Sequence, residues 1–191
     1  MSVSSGRFDS QAKTYDQRVG LSKSVCQAIV QAVLGLADAV PGDLIAEMGA
    51  GTGMIGKWLA QSGLCYIGID LSRGMLTRFR RRLVLHRPAW LLQADGNCPW
   101  PLADGSTCAI FSSRALHWLA SEHVVNETLR VAHPDHAVLL MGRVQRERDS
   151  TPAQMQRQLQ RQLRQHGLQP RQGARYERQL INASPSGSDC H

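Results

Sequence analysis

Short apolar runs alternate along the chain with segments whose apolar residues recur every three or four positions. The runs are typical of buried strands and the spaced pattern is typical of amphipathic helices. The predicted strands span Leu44–Met48, Cys65–Asp70, Trp90–Gln93, Cys108–Ser112 and Ala137–Met141. The predicted helices between and before them span Ser22–Asp38, Met54–Ser62, Ser72–Leu85 and Glu122–Val131. Because short links join strand to helix throughout, we expect parallel strands connected by right-handed crossovers.

The pattern changes after the fifth predicted strand. A Gln- and Arg-rich segment repeats an apolar residue every four positions, at Met155, Leu159 and Leu163. This narrow stripe predicts a helix that lies on the domain surface or covers the substrate side. We therefore divide the chain into a domain at 1–142 and a helix with a disordered tail at 143–191.

Three glycines follow the first predicted strand at alternate positions. Glu47 lies near the end of that strand, and Gly49, Gly51 and Gly53 come directly after it. Glycine tolerates positive φ and lets the backbone approach a ligand closely. The N–H groups of the helix that follows point at the same place. This stretch therefore predicts a nucleotide-binding loop.

Two kinds of nucleotide fit this loop. Residues 51–56 satisfy the G-x-G-x-x-G dinucleotide pattern, and Asp70 follows Gly53 by 17 residues, where a ribose-binding carboxylate is expected. However, the turn would then begin late, and Glu47 would meet a pyrophosphate with like charge. A cationic ligand such as S-adenosylmethionine (SAM), which carries a sulfonium and an ammonium group and no phosphate, is favoured over NAD.

Several motifs resemble those of class I SAM-dependent methyltransferases. Residues 47–53 are similar to the first motif, E/D-x-G-x-G-x-G, and residues 68–76 to the G-x-D-x-S-x-x-M-L of the small-molecule (type 11-like) branch. Residues 93–106 resemble its D…LPF…DGSFD segment. The lead-in at 8–16 resembles the opening of the malonyl-carrier-protein methyltransferases of biotin synthesis. The resemblance implies a Rossmann-like α/β sheet with helices on both faces, here without the complete C-terminal antiparallel hairpin.

The resemblance also implies which residues contact SAM. The three loop glycines would surround its methionine part, Asp70 would accept from both ribose hydroxyls, and Glu47 would hold the loop and the ammonium group. The other implied cofactor residues are Tyr15 at the carboxylate, Leu71 and Ala94 beside the adenine ring, and Asp95 at its amino group. Ser112 is added because it ends the fourth predicted strand at the sheet edge where such ligands bind. Helix capping by Asp70, an ordinary turn at Asp95 and simple anchoring by Tyr15 are the structural alternatives.

The acceptor side is less defined. His117 follows the fourth predicted strand, where the acceptor approaches in this family, and is a candidate base; an edge-of-core histidine is the alternative. The Asn/Asp-Pro-Pro-Tyr motif of amino-group methyltransferases is absent, which favours oxygen or carbon of a small or carrier-bound acceptor. The remaining histidines have no metal-ligand spacing, so no metal is expected.

Charge and cysteine content add other possibilities for partners. The formal charge of +7 divides into +5 for residues 143–191 and +2 for residues 1–142. The basic tail leaves RNA methylation open, whereas Arg78, Arg81 and Arg82 are interpreted as a solvated helix face. The missing hairpin leaves open a non-catalytic, partner-binding role. Five cysteines without finger spacing, and no signal peptide or membrane span, predict a cytoplasmic protein.

Overall fold

The computed structural model describes residues 8–10, 12, 14–19, 21–83, 89–134, 137–141 and 151–167. Within these ranges, five strands form one parallel sheet in the order β3-β2-β1-β4-β5. The strands are β1 Leu44–Met48, β2 Cys65–Asp70, β3 Ala89–Gln93, β4 Ala109–Ser112 and β5 Val138–Met141. The predicted α/β fold class is confirmed, and the predicted bounds of β1 and β2 agree to the residue.

Six α-helices and one 3-10 turn are described around the sheet. They are α1 Tyr15–Val19, α2 Lys23–Ala37, α3 Gly56–Leu59, α4 Arg73–Arg80, α5 Ser121–Val131, α6 Thr151–Gln165 and the 3-10 turn Leu116–Trp118. Two of them begin with a serine cap. The hydroxyl of Ser22 accepts from the Val25 N–H at 3.3 Å, and that of Ser72 accepts from the Met75 N–H at 3.1 Å. Each cap satisfies one N–H that the helix itself leaves unpaired.

Alternate residues of each central strand face opposite layers. On one side, Ile45 and Phe111 pack with the buried faces of α2, α3 and α4. On the other side, Ala46 and Ile110 pack with α5 and the 3-10 turn, and the α6 residue Leu159, which is fully buried, joins this second cluster. The sheet is therefore covered on both faces, as purely parallel sheets require.

Two predicted helices were too long. The helix expected over Met54–Ser62 is limited to α3, because the next amide groups bond three residues back, Gln61 N–H to the Trp58 carbonyl and Ser62 N–H to the Leu59 carbonyl. The helix expected over Ser72–Leu85 ends at Arg80, and residues 84–88 lie outside the described ranges. Such tight turns at helix ends are not visible in hydrophobic periodicity.

The C-terminal helix is present, and its stripe is used for packing. Met155 and Leu159 are buried against α5 and the 3-10 turn, while Arg157, Arg161 and Arg164 are exposed. The segment Arg175–Ile181, which the sequence offers as a poor sixth strand, lies outside the described residues, as does the tail. In the described part of the chain, no helix is long and apolar enough to cross a bilayer.

Candidate functional site

The sheet reverses its strand order between β1 and β4, and the candidate site lies at the carboxyl ends of these strands. Ligands of open α/β sheets bind at this kind of crevice. The hydroxyl of Ser112, at the end of β4, donates to the Met48 carbonyl at the end of β1 at 2.8 Å. Glu47, Asp70, Asp95 and Ser112 lie at this edge, as predicted. Ser112 is thus buried and braces the two strand ends across the crevice.

The three loop glycines are required for different reasons. All adopt positive φ, 72° at Gly49, 57° at Gly51 and 75° at Gly53. A Cβ at Gly49 would overlap the Cβ of Ala115, and one at Gly53 would overlap the ring of Phe79. A Cβ at Gly51 would meet no atom closer than the Gly49 carbonyl oxygen at 3.9 Å. Gly51 therefore faces open space, which is the geometry of a backbone cradle for a ligand.

We expect alanine at Gly51 and at Gly53 to have different effects. Positive φ should cost about 1–3 kcal/mol at either position, and the collision with Phe79 should add roughly 1–3 kcal/mol at Gly53 alone. Gly53→Ala should therefore be clearly the less stable variant in urea unfolding. Gly51→Ala should remain folded but lose SAM affinity in calorimetry, because its methyl group enters the cradle. Equal losses of stability would contradict this distinction.

Asp70 joins the glycine loop to the start of α4. Its Oδ2 accepts from the Gly51 N–H and its Oδ1 from the Ser72 N–H, both at 2.8 Å. Burial raises the pKa of this carboxyl, and the same two hydrogen bonds oppose the increase. A carboxylate oxygen can accept more than one hydrogen bond. Asp70 therefore anchors the N-cap residue Ser72, whose own hydroxyl caps the helix, and keeps acceptor capacity for two ribose hydroxyls.

Three predicted adenine contacts lie beside Asp70. The Ala94 N–H donates to the Asp70 carbonyl at 3.1 Å, which brings the end of β3 next to β2. Asp95 forms a turn: its Oδ1 accepts from the Asn97 N–H and its carbonyl from the Cys98 N–H, both at 2.9 Å. The side chain of Leu71 is half-buried. These positions suit an adenine pocket, although the role of each residue in binding stays a prediction.

Glu47 is buried beneath the loop, with 3% of its surface exposed. The hydroxyl of the fully buried Tyr66 donates to its Oε2, and a Cβ at Gly56 would overlap both groups. Burial raises the pKa of Glu47 to about 8, because desolvation outweighs the hydrogen bond from Tyr66. A pKa of about 8 favours the protonated carboxyl of Glu47 at neutral pH, and this group packs with Tyr66 against the start of α3. The sequence-based expectation that Glu47 would repel a pyrophosphate assumed that its carboxyl is ionised. A protonated carboxyl carries no charge, so this expectation is weakened.

Two N-terminal carboxylates attach the lead-in to both sides of the site. Asp9 accepts from the Ser72 hydroxyl and from the Gly74 N–H, the latter at 2.8 Å, and these bonds lower its pKa. Asp16 accepts from the Thr52 hydroxyl in the glycine loop and pairs with Arg82. The interpretation of Arg82 as simply solvated is therefore wrong, because its guanidinium pairs with Asp16. Sequence patterns did not reveal this pair, because the two residues are distant in sequence.

Aromatic residues lie together after β4. The ring of His117 is 4.9 Å from that of Trp118, and Phe8 of the lead-in meets Trp118 edge to face at 6.0 Å. Burial lowers the pKa of the half-buried His117. Trp118 remains 40% exposed, so it is not buried in the core. In the described part of the chain, no group of three or more acidic, histidine or cysteine side chains could hold a metal ion.

Three residues of this region were missed as site residues by the sequence interpretation: Asp9, Asp16 and Tyr66. The aspartates belong to a lead-in that was recognised only as a motif. Tyr66 had a detectable signal, since it and Glu47 carry polar side-chain atoms in neighbouring apolar strands. Its contact with Glu47 depends on the register that pairs Ile45 with Tyr66 and Glu47 with Gly68.

Comparisons with known proteins agree with this geometry. Residues 45–135 match the family model described as a methyltransferase domain. The chain is 32% identical over 131 residues to demethylmenaquinone methyltransferase of Beutenbergia cavernae, covering 68% of this chain and 53% of that protein. It is 29% identical over 133 residues to malonyl-[acyl-carrier protein] O-methyltransferase of Serratia marcescens, covering 69% and 49%. The chain thus spans about half the length of these curated relatives.

A solved structure shows the same fold. The SAM-dependent methyltransferase of Aquifex aeolicus superposes with a TM-score of 0.62 at 20% identity, covering 84% of this chain and 88% of that one. Together with the motifs, these matches show that the chain belongs to the class I SAM-dependent methyltransferases. The family uses SAM, and two features of the chain fit that cofactor: the open cradle at Gly51 and the acceptor capacity of Asp70.

Proposed function

We propose that the chain transfers a methyl group from SAM to oxygen or carbon of a small-molecule or carrier-bound acceptor. The observation that carries the proposal is the arrangement of Asp70, which accepts hydrogen bonds from the backbone N–H groups of Gly51 in the glycine loop and of Ser72, the N-cap of α4. The names of the relatives, which methylate demethylmenaquinone and a malonyl carrier protein, support a non-nitrogen acceptor.

SAM supplies a methyl group that its sulfonium already activates, so the protein chiefly needs to align the reactants and exclude water. Alignment can lower the barrier by ~7–11 kcal/mol, whereas a positioned base contributes ~10²–10⁴-fold in rate. In this proposal, Gly51 and Asp70 bind and orient the cofactor. His117 is the candidate base, because it follows β4, where the acceptor approaches in this family, and the burial that lowers its pKa favours the neutral ring that can accept a proton.

We expect calorimetric titration of the purified chain to show micromolar binding of SAM and no binding of NAD. The chain belongs to a SAM-dependent family, and the open space at Gly51 and the acceptor capacity of Asp70 fit that cofactor, whereas NAD would place a pyrophosphate there. Transfer of labelled methyl groups would then be measured with demethylmenaquinone and malonyl carrier protein as acceptors. Binding of NAD without SAM, by a chain with a cooperative unfolding transition, would reject the proposal.

RNA is a second candidate acceptor, because α6 exposes Arg157, Arg161 and Arg164 on one face. These residues are spaced by four and three positions, so they form a basic stripe opposite the buried Met155 and Leu159. Charge alone gives non-specific affinity that falls steeply with salt. Methyl incorporation into RNA at physiological salt would support this candidate, whereas RNA binding without incorporation would reject it.

A further inference from the structure

Arg114 lies two residues beyond the end of β4, beside the start of the glycine loop. Its neighbour Ala115 lies so close to Gly49 that a Cβ on the glycine would overlap the alanine Cβ. The guanidinium carbon of Arg114 is 5.8 Å from the centroid of the Tyr15 ring, which belongs to α1. The side chains of both residues are half-buried. Arg114 is therefore held by a cation–π contact at the mouth of the crevice.

The charge of Arg114 is not matched by a neighbouring carboxylate. Two other half-buried arginines have acidic partners: Arg82 pairs with Asp16, and Arg130 pairs with Glu127 and Asp104. Across the described ranges, no carboxylate lies within ion-pair distance of Arg114 and no oxygen accepts a hydrogen bond from its guanidinium.

Glu47 is the acidic group whose titration Arg114 affects, but it does not serve as a partner. Arg114 tends to lower the pKa of Glu47, yet desolvation dominates and Glu47 stays largely protonated at neutral pH. Its Oε2 is already bonded to the Tyr66 hydroxyl below the loop. A second acidic residue of the region, Asp16, is bonded to Thr52 and Arg82. The guanidinium fork of Arg114 is thus left for an anion from outside the described part of the chain.

We propose that Arg114, oriented by the Tyr15 ring, is the carboxylate-binding residue of this site; this inference rests on the SAM-dependent function proposed above. A guanidinium presents a planar pair of donors that matches a carboxylate in a bidentate arrangement. Two ligands could supply that carboxylate: the methionine part of SAM, or an acceptor that is itself a carboxylic acid. Both would enter beside Gly49, where Arg114 lies.

The test compares ligands that differ by the carboxylate alone. The full chain and its Arg114→Gln and Arg114→Lys variants would be titrated with SAM and with decarboxylated SAM, which keeps the sulfonium and ammonium groups. Malonate would then be titrated into each protein saturated with S-adenosylhomocysteine, as a probe for an acidic acceptor. Arg80→Gln is the matched control, because it removes one exposed arginine of α4. Thermal unfolding would verify that each variant is folded.

If Arg114 binds the cofactor carboxylate, Arg114→Gln should weaken SAM binding by ~10–100-fold and leave decarboxylated SAM unaffected. If it binds an acceptor carboxylate, SAM affinity should be unchanged, and malonate should bind the wild-type complex and not the Gln variant. The affinity of Arg114→Lys for the carboxylate ligand should lie between those of the wild type and Arg114→Gln, because an ammonium group lacks the planar pair of donors of a guanidinium. If Arg114→Gln changed the affinity neither for SAM nor for malonate, the inference about Arg114 would be wrong, and the proposed function would be unaffected. Failure of the folded wild type to bind either form of SAM would reject the proposed function as well.

Discussion

Asp70→Ala should abolish detectable SAM binding while the chain stays folded. In the proposed site the alanine removes the acceptor for two ribose hydroxyls, and hydrogen bonds to a charged group contribute about 1.5–3 kcal/mol each. The combined loss should weaken binding by at least ~100-fold. It also frees the Gly51 N–H from its anchor, so the cradle loses its fixed shape. The free energy of unfolding should fall by less than the free energy of SAM binding, because burial already disfavours the ionised carboxylate of Asp70 in the folded chain.

Calorimetry with SAM would measure the binding, and chemical unfolding would measure the stability. Asp104→Asn is a suitable control, because Asp104 is an exposed carboxylate that pairs with Arg130 away from the glycine loop. That variant should bind SAM with wild-type affinity. If Asp70→Ala also bound SAM normally, the assignment of the ribose site and the proposed function that rests on it would be wrong.

The free energy of unfolding should fall as the pH rises from about 4.5 to 8, and Glu47→Gln should remove most of that fall. The folded chain holds a proton on Glu47 up to a pKa of about 8, whereas the unfolded chain loses it near the ordinary value of 4.5. The folded state therefore binds more protons across this window, and stability decreases with rising pH. The difference between the two pKa values corresponds to ~5 kcal/mol. Glutamine keeps an acceptor for Tyr66 without the titration.

Urea unfolding at several pH values would check this result. Glu127→Gln is an informative comparison, because Arg130 lowers the pKa of Glu127. Glu127 therefore stabilises the fold above the ordinary glutamate pKa, and its replacement should lower stability at pH 8 without flattening the slope. A smaller slope should remain in Glu47→Gln, since burial also raises the pKa of Asp70. Retention of the full slope in that variant would show that Glu47 does not carry the effect.

The sequence predicted the sheet well because local patterns determine it. An apolar run with a carboxylate at its end or one position before it defines β1 and β2, and the alternation of strands and helices predicts their parallel arrangement. Helix ends were less predictable, because α3 ends in tight turns that follow no hydrophobic period. The four-residue spacing of Met155 and Leu159 predicted an apolar helix face, but it did not predict the surface against which that face packs.

The site was predicted where a motif places several residues within a few positions. The glycine loop and Asp70 are of this kind, and the structure brings them together. Glu47 was recognised as part of the motif, but its protonation depends on Tyr66 and on burial, which arise only when the strands are paired. The partners of Arg82 and Thr52 lie in the lead-in, and no periodicity connects such distant positions.

The attachment of the lead-in has a consequence for the order in which the molecule forms. Asp9 bonds to groups 63 and 65 residues later, and Asp16 to groups 36 and 66 residues later. During synthesis both aspartates are made before any of these partners. Contacts of such long sequence separation form only after the loops between them have closed. The lead-in, which is made before its partners, is therefore among the last segments to reach its native place, and its docking completes the site.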